Sequence, residues 1–232
     1  MRLAVIPARG GSKRIPRKNV RAFCGRPMLG WSIGAALESG CFDQVIVSTD
    51  DAEIAGIARA EGARIPFLRP AHLSDDHTPT VPVIAHAIEA IATEGIEPVE
   101  VCCIYATAPF VRAQDLRRGL DVLRDSGGLF AFSCTSFPSP VQRAMRILSS
   151  GRVEMFQPEH ALTRSQDLEE AFHDAGQFYW GTVPGWRSGK PLIGPDAAAV
   201  VLPRHRVQDI DTPEDWVRAE ALFRGLTAEI KG

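Results

Sequence analysis

The chain has 232 residues, 45% of them apolar, which suits one domain or one domain carrying a sizeable insertion. A formal net charge of −2 excludes, as a global property, a protein built to coat nucleic acid or an anionic membrane surface. No segment approaches the roughly 18 apolar residues of a membrane span, and the apolar run in "RLAVIPARGG" is too short for a signal peptide.

In chain order, "LAVIPA" (3–8) is a short apolar run bounded by proline and glycine, which predicts a buried strand. Residues 27–40 have helical spacing, with Gly40 as a stop. "QVIVSTD" (44–50) is the next strand, and Ser48, Thr49 and Asp50 offer caps for a helix over 51–62. "ARIPFLRP" (63–70) reads as a short strand ending in a turn, and 78–94 as a helix. "VEVCCIYATAPF" (99–110) predicts a buried strand running into a proline-marked loop. Its Cys102 and Cys103 read as small buried hydrophobes. With five cysteines and no CxxC pair, the expectation is a reduced, cytoplasmic protein. A helix over 115–124 and a strand over 129–136 follow.

Strands alternating with helices predict an α/β fold with a mostly parallel sheet covered on both faces. The pattern breaks between about 136 and 172, where "RAMRILSSGRVEMF" (143–156) reads as a hairpin with a tight Ser/Gly turn. Residues 136–172 are therefore expected to be an inserted arm used for dimerisation, with 1–135 and 173–232 forming the α/β domain. Strands are expected at 176–182, 197–203 and 205–211. A final helix starts at Pro213, with Thr212 as N-cap and Asp215 able to close a capping box.

Charge is distributed unevenly along this frame. Residues 1–37 hold eight Arg or Lys and no acid, and five of those cations fall in "IPARGGSKRIPRKN" (6–19), directly after the first strand. Neither the Walker loop nor the GxGxxG fingerprint is present. What remains is a Gly10-Gly11-Ser12 turn whose backbone N–H groups are able to approach phosphate oxygens as a nest, flanked by Arg9, Lys13 and Lys18. Pro16 stiffens the loop, and Asn19 both donates and accepts, as base recognition requires. A solvated charged loop and a nucleic-acid patch are the alternatives; the absence of acid from the first 37 residues favours phosphate.

A polyphosphate site calls for converging carboxylates. In "QDIDTPEDW" Asp209 and Asp211 stand two apart on an expected strand, hence on one face, where both reach a single hard cation such as Mg²⁺. The competing role for Asp211 is to help Thr212 cap the last helix. "STDD" (48–51) and "SDDH" (74–77) are weaker signals; the first lies between a strand and a helix and is read first as a cap, and His77 and His173 lack metal-ligand spacing.

Taken in order, "IPARGGSKRIPRKN", "VIVSTDD", "FLRP", "DAGQFYW" and "DIDTPED" resemble the CMP-sialic acid synthetases, the cytidylyltransferases that activate nonulosonic acids. "SKRIPRKN", "CGRPM", "YATAPF" and "DAGQFYWG" look most like the pseudaminic acid branch, used in flagellin and surface-glycan modification. The resemblance implies a Rossmann-like three-layer fold of the nucleotide-diphospho-sugar transferase type. It also implies a homodimer whose arm reaches the neighbouring site, and CTP with Mg²⁺ as cosubstrate and metal. By motif match, Arg9, Ser12 and Lys13 would hold the triphosphate above the Gly10–Gly11 backbone. Asn19 and Arg69 would contact cytidine, Lys18 the α-phosphate, and Asp209 with Asp211 the metal. Tyr179 sits where the family contacts the sugar. Tyr105-Ala106 stands where sialic acid enzymes commonly have Gln-Pro, which points away from N-acetylneuraminate.

The implied reaction is transfer of CMP from CTP to the anomeric hydroxyl of a nonulosonic acid, pseudaminic acid favoured, with release of pyrophosphate. Arg9, Lys18 and Asp211 are the expected catalytic groups, Asp211 as a candidate base. N-acetylneuraminate, legionaminate or octulosonate activation, other sugar-nucleotide pyrophosphorylases and a non-catalytic nucleotide-binding module are the alternatives.

Overall fold

The structure is a computed structural model that describes residues 1–229; residues 230–232, the end of the second segment assigned to the α/β domain, lie outside the described residues. The elements in order are β1 (Arg2–Pro7), β2 (Ala22–Phe23), β3 (Arg26–Pro27), α1 (Met28–Ser39), β4 (Gln44–Ser48), α2 (Ala52–Ala60), α3 (Thr80–Ala92), β5 (Glu100–Ile104), α4 (Ala113–Ser126), β6 (Phe130–Ser136), β7 (Met145–Ile147), β8 (Val153–Met155), β9 (Phe172–Thr182), α5 (Val183–Arg187), β10 (Ala197–Val201) and α6 (Pro213–Glu229). Six strands make one sheet in the order β10-β6-β9-β5-β1-β4. Only β9 runs antiparallel to its neighbours β5 and β6, so the sheet is mostly parallel, as the alternating pattern requires.

Burial on both faces explains the near-continuous apolar strands. On one face Ala4, Ile6, Cys102 and Trp180 pack with Leu29 and Ile33 of α1, Ile54 of α2 and Leu116 of α4. On the other, Leu3, Val5, Cys103 and Tyr179 pack with Ile84 and Ile88 of α3 and Trp186 of α5. Cys102 and Cys103 thus face opposite layers as small hydrophobes, and burial pushes both thiols up in pKa. All five cysteines are free. No helix among the described residues is long and apolar enough to cross a membrane.

Two expected strands differ from what forms. Residues 63–70 make only a single bridge, Arg64 to Ile46, because Pro66 and Pro70 remove ladder donors; the segment then runs beside β4, with Arg69 N–H donating to Thr49 O at 2.7 Å. Within 99–110 the strand runs, as expected, into a proline-marked loop: β5 ends at Ile104 and 105–112 is the loop at its carboxyl end. Residues 205–211 form no strand: a 3₁₀ turn over Arg204–Arg206 leads into an irregular segment ending at α6. β9 is longer than expected because a bulge opposite Phe132–Cys134 lets it continue along β6 back to Phe172. Between Ser136 and Phe172 the chain leaves the sheet and forms the β7–β8 hairpin, which carries exposed Met145, Ile147 and Val153.

Candidate active site

The amino-terminal loop and the segment before α6 are joined by one apolar cluster. Ile15, embedded in "SKRIPRKN", and Ile210, embedded in "DID", are each 1% exposed and pack in it with Phe23, Met28, Phe110 and Trp216. Trp216 of α6 meets Phe23 edge-on at 5.5 Å, and the Arg21 guanidinium lies over its ring at 4.6 Å. Burying the central isoleucine of each charged motif turns the flanking charges away from the core. Sequence order alone says nothing of this convergence; burial enforces it.

The result is a cleft of about 500 Å³ beyond the carboxyl ends of β1 and β5, where open α/β sheets bind ligands. Arg9, Ser12, Lys13, Arg14, Lys18, Asn19, Arg69, Tyr105 and Asp211 line it. Lys18 Nζ donates to Ile210 O at 2.6 Å and stands 3.3 Å from Asp211, which Arg14 also meets at 2.9 Å. Arg9 and Lys13 both pair with Asp76. Those two cations, Lys13 first, pull the Asp76 carboxyl down to about 2. Arg69 is 6% exposed, and two of its guanidinium nitrogens have no hydrogen-bond partner; its nearest carboxylate, Asp50, is 3.8 Å away. Such a buried, unsatisfied cation is costly unless a ligand completes it.

A second hollow of about 530 Å³ adjoins the first and shares Tyr105 and Thr107 with it. Tyr179, Asp174, Asp209, Arg204 and Arg218 also line it. Tyr105 separates the two: its hydroxyl bonds Thr80 at 3.0 Å, and its ring tilts against Tyr179 with centroids 5.2 Å apart. The Tyr179 hydroxyl donates to Asp174; burial first, then the charges around it, push this phenol strongly up in pKa. Asp209 lies exposed at the rim, yet loss of solvent around its carboxyl, followed by the charge of Asp211, raises its pKa.

Several expectations change in detail. The glycines take no positive φ, so they form no nest. The left-handed residue of the loop is Arg17 at φ 57°, pinned by Asp51 at 2.6 Å and by Glu53. Gly10 is needed for space, since a Cβ there would come within 2.6 Å of the Asp51 carboxylate; at Gly11 the nearest atom would be 3.9 Å away. Gly10 N–H donates to Asp50 at 3.2 Å, the Ser12 hydroxyl to Ile15 O at 2.7 Å, and the Asn19 amide to Arg9 O at 2.9 Å, so all three brace the loop. The cap of α2 is Asp51, which accepts the Ile54 N–H at 3.0 Å, one residue beyond the expected Ser48, Thr49 and Asp50, because the helix begins at Ala52. Asp215, not Asp211, caps α6: it accepts the Thr212 N–H at 2.8 Å while Thr212 accepts the Asp215 N–H at 3.2 Å. Asp209 and Asp211 do not share a strand face, because no strand forms there; Asp211 lines the first cleft and Asp209 the second hollow. Asp76, Thr80, Asp174 and Arg218 are lining residues that the sequence analysis does not single out. Of these only Asp76 has a local signal, the acid pair of "SDDH" a few residues after Arg69.

A family model described as cytidylyltransferase matches residues 3–183. The chain is 43% identical over 222 residues, 96% of each chain, to a pseudaminic acid cytidylyltransferase of Campylobacter jejuni subsp. jejuni serotype O:2. It is 29% identical over 226 residues, 95% of each chain, to the CMP-N,N'-diacetyllegionaminic acid synthase of Legionella pneumophila. A solved CMP:2-keto-3-deoxy-manno-octonic acid synthetase complexed with CTP shares the fold, with a TM-score of 0.68 at 18% identity over 97% of this chain and 98% of that one. With its cationic loop, its facing aspartates and a family match over most of its length, the chain belongs to the cytidylyltransferase family.

Proposed function

We propose that the protein transfers CMP from CTP to the anomeric hydroxyl of a nonulosonic acid, pseudaminic acid above the others, and releases pyrophosphate. The observation that carries this reading is Arg69, a buried guanidinium without hydrogen-bond partners that lines the same cleft as Arg9, Lys13 and Lys18. That cleft demands an anion with further acceptors, which a nucleoside triphosphate supplies. The choice of sugar rests on the 43% identity to the Campylobacter enzyme and on Tyr105.

Nucleotidyl transfer is chiefly a matter of in-line positioning and of stabilising negative charge. In this reading Arg9 and Lys13 exchange Asp76 for the β- and γ-phosphates and offset charge on departing pyrophosphate. Lys18, held by Ile210 O, faces the α-phosphate. Arg69 and Asn19 serve the cytidine end. Asp211 lines the nucleotide cleft and is the chain's own acceptor for the proton of the attacking hydroxyl. Tyr105 and Tyr179 form the sugar side, with Asp174 fixing the Tyr179 hydroxyl.

Mg²⁺ suits these residues: Asp209 and Asp211 are hard oxygen donors, and burial first, then the charge of Asp211, raises the Asp209 pKa. Mg²⁺ commonly takes only one or two protein carboxylates, with phosphate oxygens and water completing its shell. Asp209 and Asp211 would hold the ion, which when bound draws charge from the α-phosphate.

The exposed apolar residues of the arm, Met145, Ile147, Val153, Phe156 and Leu162, would be covered by a second copy in a homodimer. The product is an activated sugar of the form that glycosyltransferases acting on flagellin or surface glycans require, and the reaction is placed in the cytoplasm with its CTP supply. Pyrophosphate release with CTP, Mg²⁺ and a panel of pseudaminate, legionaminate, N-acetylneuraminate and octulosonate tests the reading. Release strongest with pseudaminate is expected; release with none of them contradicts it.

A further inference from the structure

Four of the five cations lining the first cleft are matched with a carboxylate, Arg9 and Lys13 with Asp76 and Arg14 and Lys18 with Asp211; the fifth, Arg69, stands 3.8 Å from Asp50 with two nitrogens unbonded. The second hollow differs. Its two arginines, Arg204 in the 3₁₀ turn and Arg218 on α6, form no ion pair among the described residues. Arg204 makes one long bond, to Phe137 O at 3.4 Å. The charge of Arg218 helps hold Asp215 acidic, behind the hydrogen bonds from Thr212, without pairing with it. Of the hollow's acids, Asp174 is occupied by the Tyr179 hydroxyl and by the Gly176 N–H at 2.8 Å, and Asp209 sits at the side facing Asp211. The hollow therefore offers two guanidinium groups without ion-pair partners, one from α6 and one from the 3₁₀ turn.

We propose that Arg218, assisted by Arg204, is the anchor for the carboxylate of the sugar acid and so a specificity-determining residue of the second hollow. The proposal rests on the functional reading above. A nonulosonic acid bears its only carboxylate on the carbon that also carries the anomeric hydroxyl. A cation that fixes the carboxylate therefore fixes the hydroxyl one bond away, while the ring remains free to lie against Tyr105 and Tyr179. Arg218 follows Asp211 by two turns of chain on α6, whose first turn the Thr212–Asp215 capping box holds, so anchor and acceptor are carried by one rigid segment. Guanidinium is suited to this task because its fork matches a carboxylate bidentately. Uncharged sugars would leave the two arginines unmatched and bind poorly.

The test compares pseudaminate with its C1 primary amide, which keeps shape and loses charge, at saturating CTP and Mg²⁺. In the unaltered protein kcat/KM for the acid should exceed that for the amide by on the order of 10- to 100-fold, as for loss of a charge-assisted hydrogen bond. In Arg218→Gln that ratio should collapse to a few-fold, with KM for CTP unchanged. Arg218→Lys should recover part of it, and Arg204→Gln should reduce it less. A merely structural Arg218 would lower both rates together and leave the ratio standing, and that result overturns the proposal. Should Arg218→Gln fold poorly, the same ratio measured in Arg218→Lys and Arg204→Gln decides: an unaltered ratio in both overturns it. If the unaltered protein releases no pyrophosphate with any sugar acid, the functional reading fails and the anchor falls with it.

Discussion

Lys18 and Asp211, 193 residues apart in the chain, lie 3.3 Å apart across the first cleft. The contact exists because Ile15 and Ile210 are buried in one cluster, and it leaves Asp211 free of any capping duty, which Asp215 performs. The two aspartates should therefore separate in experiment. Asp215→Ala should cost about 0.5–2 kcal/mol of stability, the usual cost of losing a helix cap. Asp211→Asn should leave the thermal midpoint within a few degrees of the unaltered protein, as expected for a partly exposed position. Thermal unfolding of both variants checks this.

Arg69 should behave oppositely for binding and for folding. Arg69→Met keeps the volume and removes a buried cation whose nitrogens lack partners. The nucleotide-free protein is expected to be as stable as before or more so. CTP affinity should fall by on the order of 10-fold or more. Calorimetric titration and a thermal melt on one preparation measure both; a destabilised variant with normal CTP affinity would contradict the assignment.

Asp76 holds Arg9 and Lys13 in the nucleotide-free cleft, and phosphates must compete with it. With its carboxyl near 2 it is ionised at any working pH, so only substitution removes the competition. Asp76→Asn should tighten CTP and pyrophosphate binding by a few-fold, more at low salt than at high salt. Titration at two ionic strengths reads this directly. Weaker binding in the variant would mean that Asp76 orders the cations and does not compete for them.

How much of this was legible in the sequence depends on the range of the interaction. β1, the Gly40 stop and the Thr212–Asp215 box follow from local chemistry and stand as read, while the cap of α2 falls one residue later, on Asp51. The hairpin also forms where its Ser/Gly turn placed it. The strand expected at 205–211 fails because Ile210 packs against Ile15 of the amino-terminal loop and Val207 turns to the second hollow, neither against a sheet neighbour. Among the site residues, the basic loop was visible as a charge asymmetry. Asp76, Asp174 and Arg218 were not, since each gains meaning only from a partner or hollow formed by distant segments. The unfilled state of Arg69 was equally hidden: "FLRP" carries no sign that its guanidinium is buried.

The loop that carries Lys13 and Lys18 is held in place by Arg17, whose left-handed backbone is pinned by Asp51. Hydrogen bonding from Arg17 is the main cause that lowers the Asp51 pKa from 3.8 to about 2. Because the folded value is depressed, this stabilisation is complete above the unfolded pKa and is lost as pH falls through the window from 3.8 to about 2. Asp51→Asn should thus be less stable than the unaltered protein near neutral pH, with the two converging at the acid end. Denaturant melts across that range check the sign.

Pyrophosphate release by Asp211→Asn, with CTP, Mg²⁺ and pseudaminate, tests most directly whether the facing loop and aspartate make a working centre. Turnover is expected to fall by on the order of 100- to 1000-fold, while CTP affinity, measured by titration, changes only a few-fold. Near-normal turnover in that variant would contradict the assignment of the cleft.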